Sequence, residues 1–254
     1  MPDTSPALPG MNISIAKDHL GMSRAASEWL FDQLTGETAN QVILVATGNT
    51  PMKSYEMLGR NLSEQEIDTS DLTVVQLDEY AGIERDDPRS LYGWMDRSFL
   101  QPLNIPESHV IAFDASTSQP AAMIAEYDAR IRRSGGIDIA ILGLGPNGHL
   151  GFNEPPSPAD APTRLVDLTP ASLASNAVYF PQGTDIPRQA FTCGMSTILA
   201  ANHILLLVSG PSKKDILKLA LTGPVTPDVP ASMLQTVASR VWLFADELAW
   251  DDLE

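Results

Sequence analysis

Short apolar runs rich in β-branched residues recur along this chain. Each stops at a glycine, proline or polar turn, and segments of helical character separate them. Residues 41–46 read QVILVA, 73–77 TVVQL, 137–142 IDIAIL, 203–209 HILLLVS and 241–245 VWLFA. Runs that short, apolar on both faces, are the pattern of buried parallel strands. Parallel neighbours need long crossover connections, which the intervening segments can supply as helices. Pro51, with Thr50 as cap, predicts a helix start that continues through residues 52–58. Residues 90–99 carry Tyr92 and Trp94 and also read as helical. In residues 120–133, Met123, Ile124, Tyr127 and Ile131 recur at near-helical spacing, and Arg130, Arg132 and Arg133 precede Gly135-Gly136. Short helices are expected over residues 194–201 and from Lys213 through Leu221. The alternation predicts an α/β fold: a doubly wound, mostly parallel sheet with helices on both faces, Rossmann-like in layout. With no internal repeat or composition break, residues 1–254 are expected to form a single domain. Residues 1–10 (MPDTSPALPG) read as a loose terminus, and the Pro-rich stretch at about 155–165 as a lid segment.

Charge and composition narrow the functional classes. The formal net charge of −16 argues against nucleic acid, which needs clustered Lys and Arg; it leaves room for a small anion at a local positive site. No apolar run approaches the roughly 18 residues of a membrane span, and the N-terminus lacks a basic region followed by an apolar one. The single cysteine, Cys193, cannot form an internal disulfide, so a reducing cytoplasm is the expected compartment. His19, His109, His149 and His203 are scattered, without metal-ligand spacing, and no metal is expected. No heptad pattern decides an oligomeric state.

Chemistry is expected where the strands end, since open α/β sheets bind ligands outside the carboxyl ends of their strands. After residues 41–46, Thr47, Gly48, Asn49 and Thr50 lead into a helix; such a turn suits a phosphate or carboxylate, and equally a purely structural role. After residues 73–77 come Asp78 and Glu79, a pair open to three readings: base, metal ligand or helix cap. After residues 137–142 the turn Gly145-Pro146-Asn147-Gly148-His149 places a histidine five residues before Glu154, two groups able to exchange protons near neutrality when tuned. Gly143, Gly145 and Gly148 match a dinucleotide-binding spacing. However, Pro155, Pro156 and Pro158 follow, so a loop rather than a helix is expected, and no nicotinamide cofactor. After residues 203–209, Lys213 could meet a ligand phosphate or stand solvated at a helix start.

Four blocks carry a family resemblance: Ala46-Thr47-Gly48-Asn49-Thr50-Pro51, Leu77-Asp78-Glu79-Tyr80, the stretch from Leu142 to Pro155 that contains Gly148-His149-Leu150-Gly151-Phe152-Asn153-Glu154-Pro155, and Leu205 to Gly210 with Lys213. In this order and spacing the chain resembles the glucosamine-6-phosphate deaminase (isomerase) family, related more distantly to 6-phosphogluconolactonases. The resemblance covers residues 40 to about 245. It implies conversion of glucosamine 6-phosphate and water to fructose 6-phosphate and ammonia, without a cofactor. His149 would handle the ring-opening proton with Glu154 tuning it and Asn147 beside them. Asp78 would move a proton from C2 to C1. Thr47, Gly48, Asn49, Thr50, Gly145 and Lys213 would hold the substrate and its phosphate. Galactosamine 6-phosphate is a nearby substrate alternative; a lactone hydrolase and a non-catalytic sugar-phosphate sensor are the others. The family commonly has a phosphate-contacting arginine near Leu173. Leucine cannot replace that contact, whose loss costs about 1.5–3 kcal/mol, which leaves Arg164 or Lys214 as candidate substitutes. Pro158 and Val166 depart from allosteric members, so activation by an N-acetylated sugar phosphate is not expected.

Overall fold

The computed structural model describes residues 10–36, 41–181 and 183–250. Nine residues of the presumed loose terminus, 1–9, lie outside that range. Among the described residues, ten strands form two sheets. Seven of them make an all-parallel sheet in the order β1(Asn12–Ala16), β10(Val241–Asp246), β9(His203–Val208), β6(Ile139–Gly143), β2(Val42–Val45), β3(Thr73–Gln76), β5(Val110–Ile111). From β2 the chain winds outward through β3 to β5; from β6 it winds the other way through β9 and β10. The order therefore reverses between β2 and β6, the place where open parallel sheets leave a crevice.

Helices cover both faces, as the alternation along each strand requires. In β2, Val42 and Leu44 point into one core and Ile43 and Val45 into the other. The first core is closed by Tyr127 and Ile131 of α4(Pro120–Arg133), Ile198 of α6(Met195–Ala200) and Leu217 and Leu221 of α7(Lys214–Thr222). The second is closed by Met22 and Leu30 of α1(His19–Leu34) and Tyr55 and Leu58 of α2(Asn49–Glu64). Among the described residues no helix is long and apolar enough to cross a membrane. A short helix, α8(Glu247–Trp250), follows β10.

The small sheet is a departure from simple alternation. At the end of β3, Leu77 N–H still bonds Val45 C=O at 3.2 Å, but the chain then leaves the main sheet. Residues β4(Asp78–Tyr80) pair antiparallel with β8(Gln189–Thr192), which pairs in turn with β7(Arg164–Asp167). A third apolar cluster, including Tyr80, Phe152, Leu168 and Phe180, packs against this sheet. Two further differences from the sequence reading have local causes. Gly48, not Thr50, caps α2: its φ of 98° lets the chain turn into the helix at Asn49. Pro51 then sits in the first turn, where its missing N–H has no intrahelical partner to lose. The edge strand β1 and helix α1 were not legible as elements; all five residues of β1 are only half-buried, and α1 carries Ser23 and Ser27 in its buried face.

Candidate active site

The crevice at the strand-order reversal is floored by the turns after β2 and β6, with β4 along one wall. Thr47, Gly48, Asn49, Thr50, Asp78, Gly145, His149 and Lys213 all line it. Residues separated by more than 160 positions thus converge because four parallel strands end at one edge.

The β2 turn presents the start of α2. Gly48 holds a backbone conformation that L side chains rarely adopt, and the unpaired amides of the first helical turn follow it. Those amides and the helix dipole favour an anion. Behind them His19 Nε2 lies 3.1 Å from Thr50 C=O, so α1 braces the turn. Lys213 also lines the crevice and donates to Leu144 C=O, in the β6 turn, at 2.7 Å. Burial lowers its pKa below the usual lysine value. Among the described residues it is the one Lys or Arg side chain in the lining.

The β6 turn packs the His149 ring directly on Gly145. A Cβ there would stand 2.1 Å from the imidazole, so only glycine leaves room. Gly145 N–H also donates to His149 C=O at 3.0 Å, closing the turn. His149 Nδ1 faces Glu154 Oε2 at 3.4 Å and Ser172 Oγ at 3.3 Å. Asn147 and Glu154 stand behind the histidine rather than in the lining. Asn147 Nδ2 donates to Glu154 Oε2 at 2.7 Å, and Thr169 N–H and its hydroxyl donate to the same carboxylate at 3.3 and 3.2 Å. Burial pushes the Glu154 carboxyl up, but the hydrogen bond and charge of His149, with Ser172 and Asn147, outweigh it and hold the group at about 2. A carboxylate held to Nδ1 leaves Nε2 as the histidine atom available to the crevice.

Asp78 and Glu79 part company on β4, because successive side chains in a strand face opposite ways. Asp78 enters the crevice and is only 8% exposed. Burial, then the neighbouring Glu79 charge, push its carboxyl up to about 8. Glu79 turns away and accepts from the backbone N–H groups of Leu91 and Tyr92, the first residues of α3(Leu91–Met95). Of the readings open for this pair, capping thus describes Glu79.

The segment at residues 155–163 does not line the crevice. It is fastened elsewhere, by Ser157 N–H to Pro227 C=O at 2.9 Å and Ser196 N–H to Ala161 C=O at 3.1 Å. Part of the lining comes instead from α5(Pro170–Asn176) and the helical turn Ala177–Tyr179, through Ser175, Asn176 and Tyr179. Asn176 Nδ2 is buried with no hydrogen-bond partner among the described residues. Tyr179 stacks edge-on against Trp94, 4.9 Å between ring centroids. Sequence reasoning flagged Trp94 only as helical and missed Ser172, Asn176 and Tyr179, which have no motif of their own. Leu173 packs into the third apolar cluster. Arg164 does not replace a missing arginine: its guanidinium is spent on Asn153 Oδ1 at 2.8 Å and Ser157 Oγ at 2.7 Å, outside the lining. Lys214 begins α7 and is likewise outside it.

This fold and its crevice place the chain in a known group: it belongs to the family of glucosamine-6-phosphate isomerases and 6-phosphogluconolactonases, whose model matches residues 18–243. Within it, the similarity is strongest on one side. A glucosamine-6-phosphate deaminase of Halothermothrix orenii is 39% identical over 89% of this chain and 93% of its own length. One from Rhodopirellula baltica is 36% identical over 94% of each chain. Among solved structures, a monomeric glucosamine-6-phosphate deaminase superposes with a TM-score of 0.90 at 33% identity, covering 94% of this chain and 98% of the other. The 6-phosphogluconolactonase of Leishmania guyanensis shares the fold, with a TM-score of 0.74 at 19% identity.

Proposed function

We propose that this protein is a glucosamine-6-phosphate deaminase, converting glucosamine 6-phosphate and water to fructose 6-phosphate and ammonia. The observation that carries the reading is one crevice lined by a desolvated carboxyl (Asp78), a histidine held by a carboxylate (His149–Glu154), an anion-seeking helix start and Lys213. The deaminases matched at 36–39% identity support the same reaction class.

In this mechanism the substrate phosphate docks on the amides of Gly48, Asn49 and Thr50 and on Lys213. His149 moves the proton that opens the pyranose ring through Nε2, with Glu154 and Asn147 fixing its orientation. Asp78 removes the C2 proton of the open-chain aldehyde. The electron pair shifts toward C1 and the carbonyl oxygen takes up a proton, giving an enediol-type intermediate that carries nitrogen on C2. Return of the proton to C1 leaves an imine at C2. Water adds to it, ammonia departs, and the ketose phosphate remains. A base with raised proton affinity suits abstraction from a carbon acid, and the incoming substrate ammonium favours its ionised form. No step calls for a cofactor. The buried, unpaired Cys193 suits a reducing cytoplasm as the working compartment.

The test is ammonia release from glucosamine 6-phosphate, galactosamine 6-phosphate and free glucosamine, with Asp78→Asn as control. Turnover of the first that is lost in the variant supports the reading. Turnover only of the galactosamine ester changes the sugar, turnover only of the free sugar removes the phosphate, and silence on all three with folded protein refutes deamination.

A further inference from the structure

Glu79 is a buried carboxylate that the proposed mechanism leaves unused. It is 2% exposed and sits beside the base on the same three-residue strand. Oε1 accepts from Tyr80 N–H and Leu91 N–H, each at 2.9 Å. Oε2 accepts from Tyr92 N–H at 2.7 Å and Gln76 Nε2 at 3.0 Å. All four partners are donors. A protonated carboxyl would have to aim an O–H at one of them, and the amide oxygen of Gln76 is taken by Phe113 N–H at 3.2 Å. The geometry therefore assigns Glu79 the ionised form. Burial raises its pKa above the ordinary glutamate value, and the hydrogen bonds from Leu91, Tyr92, Gln76 and Tyr80 offset part of that rise.

Asp78 stands in the contrary position. Its carboxyl is buried, and among the described residues no hydrogen bond stabilises its charge. The titratable groups around it are Tyr80 on its own strand, Tyr127 from α4, Cys193 after β8, and His149 and Lys213 across the crevice. Tyr127 turns its hydroxyl to Gln76 C=O at 2.8 Å, and Lys213 turns its ammonium to Leu144 C=O at 2.7 Å. Two neighbouring carboxyls with such unlike surroundings divide their roles: one keeps the charge, the other keeps the affinity for a proton.

We propose that Glu79 is a positioning residue for the reaction at Asp78: a permanently ionised side chain whose charge makes its neighbour a stronger base, and whose hydrogen bonds fasten α3, with the crevice residues Leu91 and Trp94, to the strand that carries that base. A neutral side chain such as serine or asparagine could cap α3 alone. The charge is what the adjacent base requires. This inference rests on the deaminase reading for Asp78's role, while its electrostatic half stands apart from that reading.

Two measurements test it. Carbon-13 carboxyl NMR on the wild-type protein should show Asp78 taking up its proton at a higher pH than Glu79, with Glu79 still ionised at neutral pH. The reverse order would overturn the proposal, and this experiment needs neither a variant nor turnover. Second, kcat/KM for ammonia release from glucosamine 6-phosphate should be followed against pH in wild type, Glu79→Gln and Glu79→Asp. The glutamine variant should move the acid limb down by about one pH unit and lower the plateau about tenfold, as a weaker base does. The aspartate variant should keep the limb in place. Equal losses in both variants with an unmoved limb would reduce Glu79 to a cap and refute the electrostatic role. If Glu79→Gln fails to fold, the wild-type NMR result decides. If the wild type releases no ammonia, the deaminase reading fails while the NMR order still rules on Glu79.

Discussion

Replacing Asp78 by asparagine should make this protein more stable at neutral pH while abolishing its turnover. The carboxyl is held at about 8 in the folded chain against 3.8 for a freely solvated aspartate. Its protonated form is favoured by folding, so the folded state holds more protons than the unfolded state between these values. Stability from this group is therefore fully present below about pH 4, declines as pH rises, and levels off above about 8. Each unit is worth about 1.4 kcal/mol, so ionising the unfolded chain at pH 7 costs the native state about 4 kcal/mol. Asparagine carries no such dependence. In a chain of this size about 4 kcal/mol corresponds to a rise in Tm of roughly 8–16 °C, less whatever the buried amide loses for want of a partner. That deduction is independent of pH, so the decisive quantity is the change in stability difference with pH. Urea unfolding at intervals from pH 4 to 9 should show the variant gaining steadily on the wild type up to about pH 8 and running parallel beyond. Parallel curves throughout would mean that Asp78 ionises normally in the folded protein, and the argument from desolvation would fail.

Lys213→Met should raise KM for glucosamine 6-phosphate by at least about tenfold, the worth of one charge-assisted contact, and leave binding of unphosphorylated glucosamine unaltered in isothermal calorimetry. Gly145→Ala should displace the His149 ring, since its Cβ would stand 2.1 Å away, and lower kcat by about a hundredfold or more in the ammonia assay with little change in the circular dichroism spectrum. Glu154→Gln should lower kcat by about a hundredfold by freeing His149. The same variant should lose the stability that wild-type Glu154 contributes above its unfolded pKa and gives up as pH falls toward about 2, an effect visible in acid unfolding curves.

Much of the fold and site follows from local chemistry. Apolar runs of β2, β3, β6, β9 and β10 are buried on both faces, so they must be inner strands whatever lies beside them. Helix α4 runs over the residues its spacing and flanking Gly135 indicate, because Tyr127 and Ile131 have to share one face. The half-buried edge strand β1 has too weak a contrast between its faces to stand out. Likewise the turn residues Thr47, Asp78, His149 and Lys213 were legible as candidates, since each follows a strand and has the chemistry for a site.

What the linear chain could not carry is the difference between neighbours of identical type. Asp78 and Glu79 are two carboxylates in succession; only the pairing of β4 with β8 turns one into the crevice and the other onto the amides of α3, and so gives one a raised proton affinity and the other a lasting charge. Asn176 and Tyr179 bear no motif and join the crevice lining only through the placement of α5 and the helical turn after it. The amino-acid sequence by itself determined which segments must be strands or helices and which turns bear reactive groups, because those depend on burial pattern and backbone preference within a few residues. Only the tertiary structure decided which of those groups meet and which keep their protons, because desolvation and charge act through space, between residues far apart in the chain.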